Sequence, residues 1–124
     1  MLNKYSDKII GVRGNCDGEV DQMMLDFSML SDYALIVNEG RNIFISHGHI
    51  YSPENLPKLH AEDVFIYGHV HLPIAKKKEG VYILNPGSIT LPKQDNPNSY
   101  GVLDEHRFTI YALDGTVLKQ IEFE

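Results

Sequence analysis

The chain has 124 residues, 43% hydrophobic and 23% charged, with a net charge of −6 and one cysteine. That length and usage fit a single globular domain with a core of its own and exclude global disorder. No apolar run approaches the roughly 18 residues that span a bilayer, and a lone cysteine closes no internal disulfide, so a cytoplasmic protein with no membrane partner is expected.

Ile9-Ile10-Gly11-Val12-Arg13 predicts a short strand that stops at Gly14-Asn15. Val20, Met23, Met24 and Phe27 fall at helical spacing and predict a brief helix over 19–27, with Asp17 or Asp21 as its cap. Residues 33–38 and 42–46 predict a hairpin turning through Glu39-Gly40-Arg41. Pro53 to Leu59 is expected to be a loop or one helical turn. Val64-Phe65-Ile66-Tyr67 is an unbroken apolar run, the mark of a strand buried on both faces. Residues 74–78 and 81–84 pair through Glu79-Gly80. Strands over 100–103, 108–113 and 117–123 form a meander, the last two joined through Asp114-Gly115-Thr116. The expectation is about eight strands and at most two short helices, a β-rich α/β domain filling residues 1–124.

Three segments carry chemistry: Gly14-Asn15-Cys16-Asp17, His47-Gly48-His49 and Gly68-His69-Val70-His71. Each directly follows an apolar strand, and in open sheets ligands gather at the carboxyl ends of strands. On extended backbone His69 and His71 would leave one face about 7 Å apart. That suits one imidazole to each of two ions about 3.5–4 Å apart. His47 stands in the same place after its own strand, and Asn15 offers a neutral oxygen. Three His and an Asn suit Mn, Zn or Fe rather than calcium. A single His at a strand end is an ordinary loop residue. Five between 47 and 71, four of them in two His-x-His pairs beside Gly, are not. His60 and His106 lie outside the motifs and read as surface. Cys16 reads equally as a small core residue, Asn85-Pro86-Gly87-Ser88 as a turn, and Tyr51 and Tyr67 as aromatic core. There is no P-loop, nucleophile elbow or Cys-x-x-Cys. The acidic balance argues against nucleic acid as a stable partner, but phosphate substrates stay open where metal ions supply positive charge.

With these segments quoted, the chain resembles the calcineurin-like metallophosphoesterase superfamily, in its bacterial phosphodiesterase branch. Val12-Arg13-Gly14-Asn15-Cys16-Asp17 is similar to the family's Gly-Asn-His/Cys-Asp segment. Ser46-His47-Gly48-His49 is similar to its second metal segment. Tyr67-Gly68-His69-Val70-His71-Leu72-Pro73 is similar to its Gly-His-x-His segment, followed by the Asn85-Pro86-Gly87-Ser88 turn. The resemblance implies a β-sandwich with flanking helices. The family's Asp-x-His and Gly-Asp motifs, with their strands and helices, have no counterpart in this sequence, so the domain is expected to be N-terminally incomplete. By resemblance, Asn15, His47 and His69 bind one metal and His71 the other. Cys16 stands where the superfamily often has a catalytic His, and this branch carries Cys there too. Asp17 beside it would orient the site, and His49 would face phosphate or support the ligands.

The implied activity is hydrolysis of a small phosphodiester by in-line attack of a metal-bound hydroxide. Manganese is the expected ion, with zinc, iron or nickel as alternatives. A two-metal site is expected only in the complete domain. Without the missing strands, residues 9–13 and 64–67 should expose apolar faces, and a stable chain should form a homo-oligomer or borrow cover from another chain. The alternative function is a non-catalytic interaction module on the same fold.

Overall fold

The computed structural model describes residues 1–124 and contains two sheets. Strands β1 (Tyr33–Asn38), β2 (Arg41–Ser46), β3 (Val64–Ile66), β4 (Pro73–Lys78) and β5 (Val81–Pro86) form one sheet in the order β1-β2-β3-β5-β4. Strands β6 (Ser99–Leu103), β7 (Arg107–Ala112) and β8 (Val117–Glu122) form an antiparallel meander. In the larger sheet β2, β3 and β5 run parallel, while β1 and β4 are antiparallel additions at its edges. The fold is the expected β-rich α/β domain.

Alternation along the strands builds two cores. Ile43, Val64, Tyr82 and Leu84 point towards the meander and pack with Phe108 and Ile110. Their neighbours Phe44, Phe65, Val81 and Ile83 point the other way, join Tyr67, and are covered by Tyr51, Leu56 and Leu59 from the β2–β3 connection. Burial on both faces is what makes the apolar runs continuous rather than alternating. It also corrects the expectation that 64–67 would be bare: Val64 and Phe65 are 0% exposed and Tyr67 6%. Tyr51 and Tyr67 are core aromatics, as the sequence suggested.

Two predicted elements differ. Residues 9–13 form no strand. Ile9 is extended, but the only backbone bond from 9–13 to another segment is Arg13 N–H to the Ser31 carbonyl at 2.8 Å. An apolar run becomes a strand only beside a ladder partner, and none of the eight strands lies there; Ile10 is left 69% exposed. The helix, α1, spans only Glu19–Met23. Gly18 is its N-cap, and Asp21 Oδ2 accepts the Gly18 N–H at 2.9 Å. Beyond Met24 the Gln22 side chain donates to the Leu25 and Phe27 carbonyls and accepts from Met29 N–H, so those groups are taken from any further helical turn. The stripe of Val20, Met23 and Met24 consequently faces solvent. A 3-10 segment, Leu2–Lys8, was not foreseen.

Ile110 is 0% exposed between the two sheets, whereas Val102 in the same meander is 44% exposed. Ile110→Ala is therefore expected to cost about 2–5 kcal/mol. Val102→Ala is expected to stay near 0.5 kcal/mol, as surface substitutions do. Urea unfolding of the two variants measures the difference.

Candidate metal centre

Three loops meet at the carboxyl end of the parallel strands. β2 ends at Ser46, and His47 follows directly. The chain then reverses at Gly48, whose φ of +115 excludes other residues; a Cβ there would lie 3.1 Å from both His69 Cβ and Tyr67 Cδ2. β3 ends at Ile66, and the Gly68 N–H donates to the His47 carbonyl at 2.7 Å, so the two His-bearing loops are tied together. The third loop closes on itself. Gly14 N–H donates to Asp17 Oδ2 at 2.7 Å, Asp17 N–H to the Gly14 carbonyl at 3.2 Å, and Arg13 Nε to the Asp17 carbonyl at 3.0 Å.

These turns bring three donor atoms together. His47 Nε2 lies 3.0 Å from Asn15 Oδ1 and 3.2 Å from His69 Nδ1. A ring nitrogen carries one in-plane proton or one lone pair, so His47 Nε2 cannot satisfy both neighbours. A cation can accept all three lone pairs. Two imidazole nitrogens and an amide oxygen are donor types that divalent first-row ions take. The donor set fits a divalent metal. It is a set of two imidazoles and an amide, with no three His, Cys, Asp or Glu side chains converging.

The other site candidates surround this point. Cys16, Asp17 and His71 line the same cleft of about 350 Å³ with Gly14, Asn15, His47 and His69. The Cys16 thiol is exposed, so its reading as a core residue is set aside. The ring of His49 is exposed, 5.3 Å from that of His47 and 6.4 Å from that of His69. His60 and His106 are surface residues. His69 and His71 do not leave an extended backbone: their φ angles are +64 and +59, in the left-handed region. Their rings reach the cleft from a tight turn instead. His71 Nδ1 lies 2.7 Å from the Leu91 carbonyl oxygen, which turns its Nε2 away from that loop.

Burial, then the neighbouring imidazoles of His69 and His49, hold His47 below the usual imidazole pKa; Asp17 opposes them and His71 adds to them. His47 is thereby biased towards the neutral form that ligates. The sequence did not single out Leu91. It read the 85–88 segment only as a turn, although Asn85 lies fully buried behind Gly68. The available signal was its place at the end of β5, level with the other two loops.

The sequence pattern of the calcineurin-like phosphoesterase superfamily domain matches residues 1–107. The chain belongs to that superfamily. Phosphodiesterase YfcE of Escherichia coli K12 is 45% identical over 121 residues, covering 97% of this chain and 66% of the relative, so the chain spans just under two thirds of that protein's length. The probable metallophosphoesterase YsnB of Bacillus subtilis is 31% identical over 74% of this chain and 54% of its own. Among solved structures, the E. coli phosphoesterase YfcE superposes with a TM-score of 0.96 at 43% identity, over 99% of this chain and 68% of that one. Vps29 of Entamoeba histolytica, solved with zinc, shares the fold at a TM-score of 0.53 and 20% identity, over 99% of this chain and 88% of that one.

Membership in this superfamily implies a divalent metal, and Asp17 is the residue that closes the loop carrying Asn15. Asp17→Ala leaves the Gly14 N–H, inside the fold, without its acceptor. The expected cost is about 1–3 kcal/mol, read by urea unfolding. Zn or Mn affinity should fall with it, read by calorimetry, because Asn15 loses its fixed position.

Proposed function

We propose that this chain carries part of the centre of a divalent-metal-dependent phosphodiesterase. The observation that supports it is the convergence of Asn15 Oδ1, His47 Nε2 and His69 Nδ1, with His47 Nε2 3.0 Å from the first and 3.2 Å from the last, in an open cleft. In this reading those three hold one ion and His71 turns its free Nε2 to a second. Manganese is the first candidate, with zinc, iron or nickel as alternatives. Bound ions supply Lewis acidity for phosphoryl oxygens and lower the pKa of water towards neutrality. The chain's own residues do the rest. Gly14 keeps a Cβ out of the cleft, where one would lie 3.4 Å from the His47 ring, and His49 stands at the exposed margin where a phosphate oxygen would arrive. The substrate is a small phosphodiester. Water adds to phosphorus, one P–O ester bond breaks, and the leaving oxygen takes a proton.

The donors are neutral, and the nearest carboxylate, Asp17, is committed to Gly14. A single weak metal site is therefore expected in this chain, and a tight pair is not. Calorimetry with Mn and Zn should give one weak site that His47→Ala and Asn15→Ala each remove; two tight sites would overturn the assignment. Manganese-dependent release of p-nitrophenol from bis(p-nitrophenyl) phosphate, lost in His47→Ala, would support catalysis. Metal binding without turnover of any aryl ester would instead favour the non-catalytic interaction module.

Cys16 bears on the choice of substrate. Its thiol lines the cleft, and a thiol is a weak hydrogen-bond donor. Such a group gives little help to a poor leaving group, so diesters with good leaving groups are preferred. In a form of the protein that turns over, Cys16→His should raise alkyl-ester hydrolysis relative to aryl diesters by about tenfold or more. Equal effects on both substrates, measured as kcat ratios, would show that position 16 does not face the leaving oxygen.

A further inference from the structure

His69 and His71 hold a backbone that histidine disfavours, with φ of +64 and +59 two residues apart. Such strain persists only where neighbours over-determine it. Part of that restraint is local, the Val70 N–H donating to the Gly68 carbonyl at 2.7 Å, and the segment 85–93 supplies the rest. Asn85 is 0% exposed; its Nδ2 donates to the Gly68 carbonyl at 3.0 Å, and its Oδ1 accepts the Gly87 N–H at 2.9 Å. Both ends of this amide are used, so its orientation is fixed. The Gly68 peptide it grips lies just before His69, and the Gly68 N–H donates to the His47 carbonyl at 2.7 Å. Downstream, Ser88 Oγ accepts the Leu91 N–H at 2.9 Å and shapes a tight turn. The carbonyl of Leu91 lies 2.7 Å from His71 Nδ1, and Lys93 N–H donates back to the His71 carbonyl at 3.3 Å. A carbonyl only accepts, so Nδ1 carries the proton and the lone pair of neutral His71 sits on Nε2.

We propose that Asn85 and Ser88 are positioning residues for the metal centre, resting on the metal reading above. Asn85 locks the Gly68 peptide and so the spacing of His69 to His47. Ser88 fixes the Leu91 turn, whose carbonyl selects the Nδ1–H tautomer of His71. Neither side chain need touch metal or substrate. Groups of this kind, bonded behind a ligand, commonly change metal affinity about ten- to a hundredfold.

The test uses wild type, Ser88→Ala, Ser88→Thr and Asn85→Asp. Long-range ¹H–¹⁵N spectra of the metal-free chain read the His71 tautomer, Zn and Mn calorimetry reads affinity, and thermal melts check folding. Wild type should show His71 as the Nδ1–H tautomer. Ser88→Ala should give a tautomer mixture with a cooperative melt and leave the affinity of the Asn15–His47–His69 site within about twofold of wild type, because His71 faces the second ion; Ser88→Thr, which keeps the hydroxyl, should restore the single tautomer. Asn85→Asp sets a carboxylate against the Gly68 carbonyl and should weaken binding about ten- to a hundredfold with the His71 tautomer unchanged. An unchanged tautomer in Ser88→Ala, or an affinity within about twofold of wild type in Asn85→Asp, would overturn the proposal. If Asn85→Asp does not melt cooperatively, the Ser88 pair decides alone. A wild type that binds neither ion overturns the metal reading, and the tautomer spectra still decide whether Ser88 sets His71.

Discussion

The parallel ladder of β2, β3 and β5 is the constraint on which the whole rim depends. Ile45 stands opposite Ile66, and Ile66 opposite Leu84, so the three strands leave the sheet at one level. The segments beyond their ends are therefore forced to share a rim: His47 and His49 after β2, His69 and His71 after β3, Asn85 to Ser88 at the end of β5. Backbone pairing continues past the strands, through Tyr67 N–H to the Leu84 carbonyl at 3.0 Å and Gly68 N–H to the His47 carbonyl at 2.7 Å. Neighbouring strands lie about 4.8 Å apart, and the His47 and His69 rings have centroids 5.1 Å apart.

That ladder is buried on both faces. The meander closes one side and the β2–β3 connection the other, leaving Val64, Phe65, Ile83 and Leu84 of β3 and β5 with no exposed surface. Burial declines towards β1, where Leu35 and Val37 are 52% and 66% exposed. The His loops spring from the central strands and not from this edge. They are thus attached where the sheet is most closely packed.

The sequence made the sheet legible wherever one local rule sufficed. Glu39-Gly40 and Glu79-Gly80 mark hairpins, and positive φ at all four residues bears this out. Val64 to Tyr67 was legible because burial on both sides leaves an uninterrupted apolar run. Residues 9–13 carry the same apolar character, yet strand formation also requires a partner in the ladder, which a local pattern does not encode. The helix failed for a related reason: Val20, Met23 and Met24 have helical spacing, but Gln22 diverts the backbone groups beyond Met24 into a loop. At the rim, residue types identified the histidines and Asn15. The left-handed turn at 69–71 was invisible because histidine gives no signal for it. It is held by its own Val70 N–H to Gly68 carbonyl bond and, from outside, by Asn85 and the 88–93 loop, residues that sequence chemistry marks only as turn formers.

The electrostatics of the cleft complete the account. The chain is acidic, with a net charge of −6, yet the three converging donors are uncharged, and the Asp17 carboxylate beside them is turned inward to a backbone N–H. A single carboxylate, that of Asp17, therefore faces these lone pairs, and its pull on His47 is outweighed by burial and the neighbouring imidazoles. On the metal-binding reading proposed above, an ion held by these donors would keep most of its positive charge, so its binding would be weak in isolation and its attraction for an anion strong. A phosphodiester substrate would then supply negative charge itself. The proposed centre would thus favour joint binding of metal and anionic substrate, at a place where burial and the neighbouring imidazoles lower the His47 pKa and bias its ring towards the form with a free lone pair.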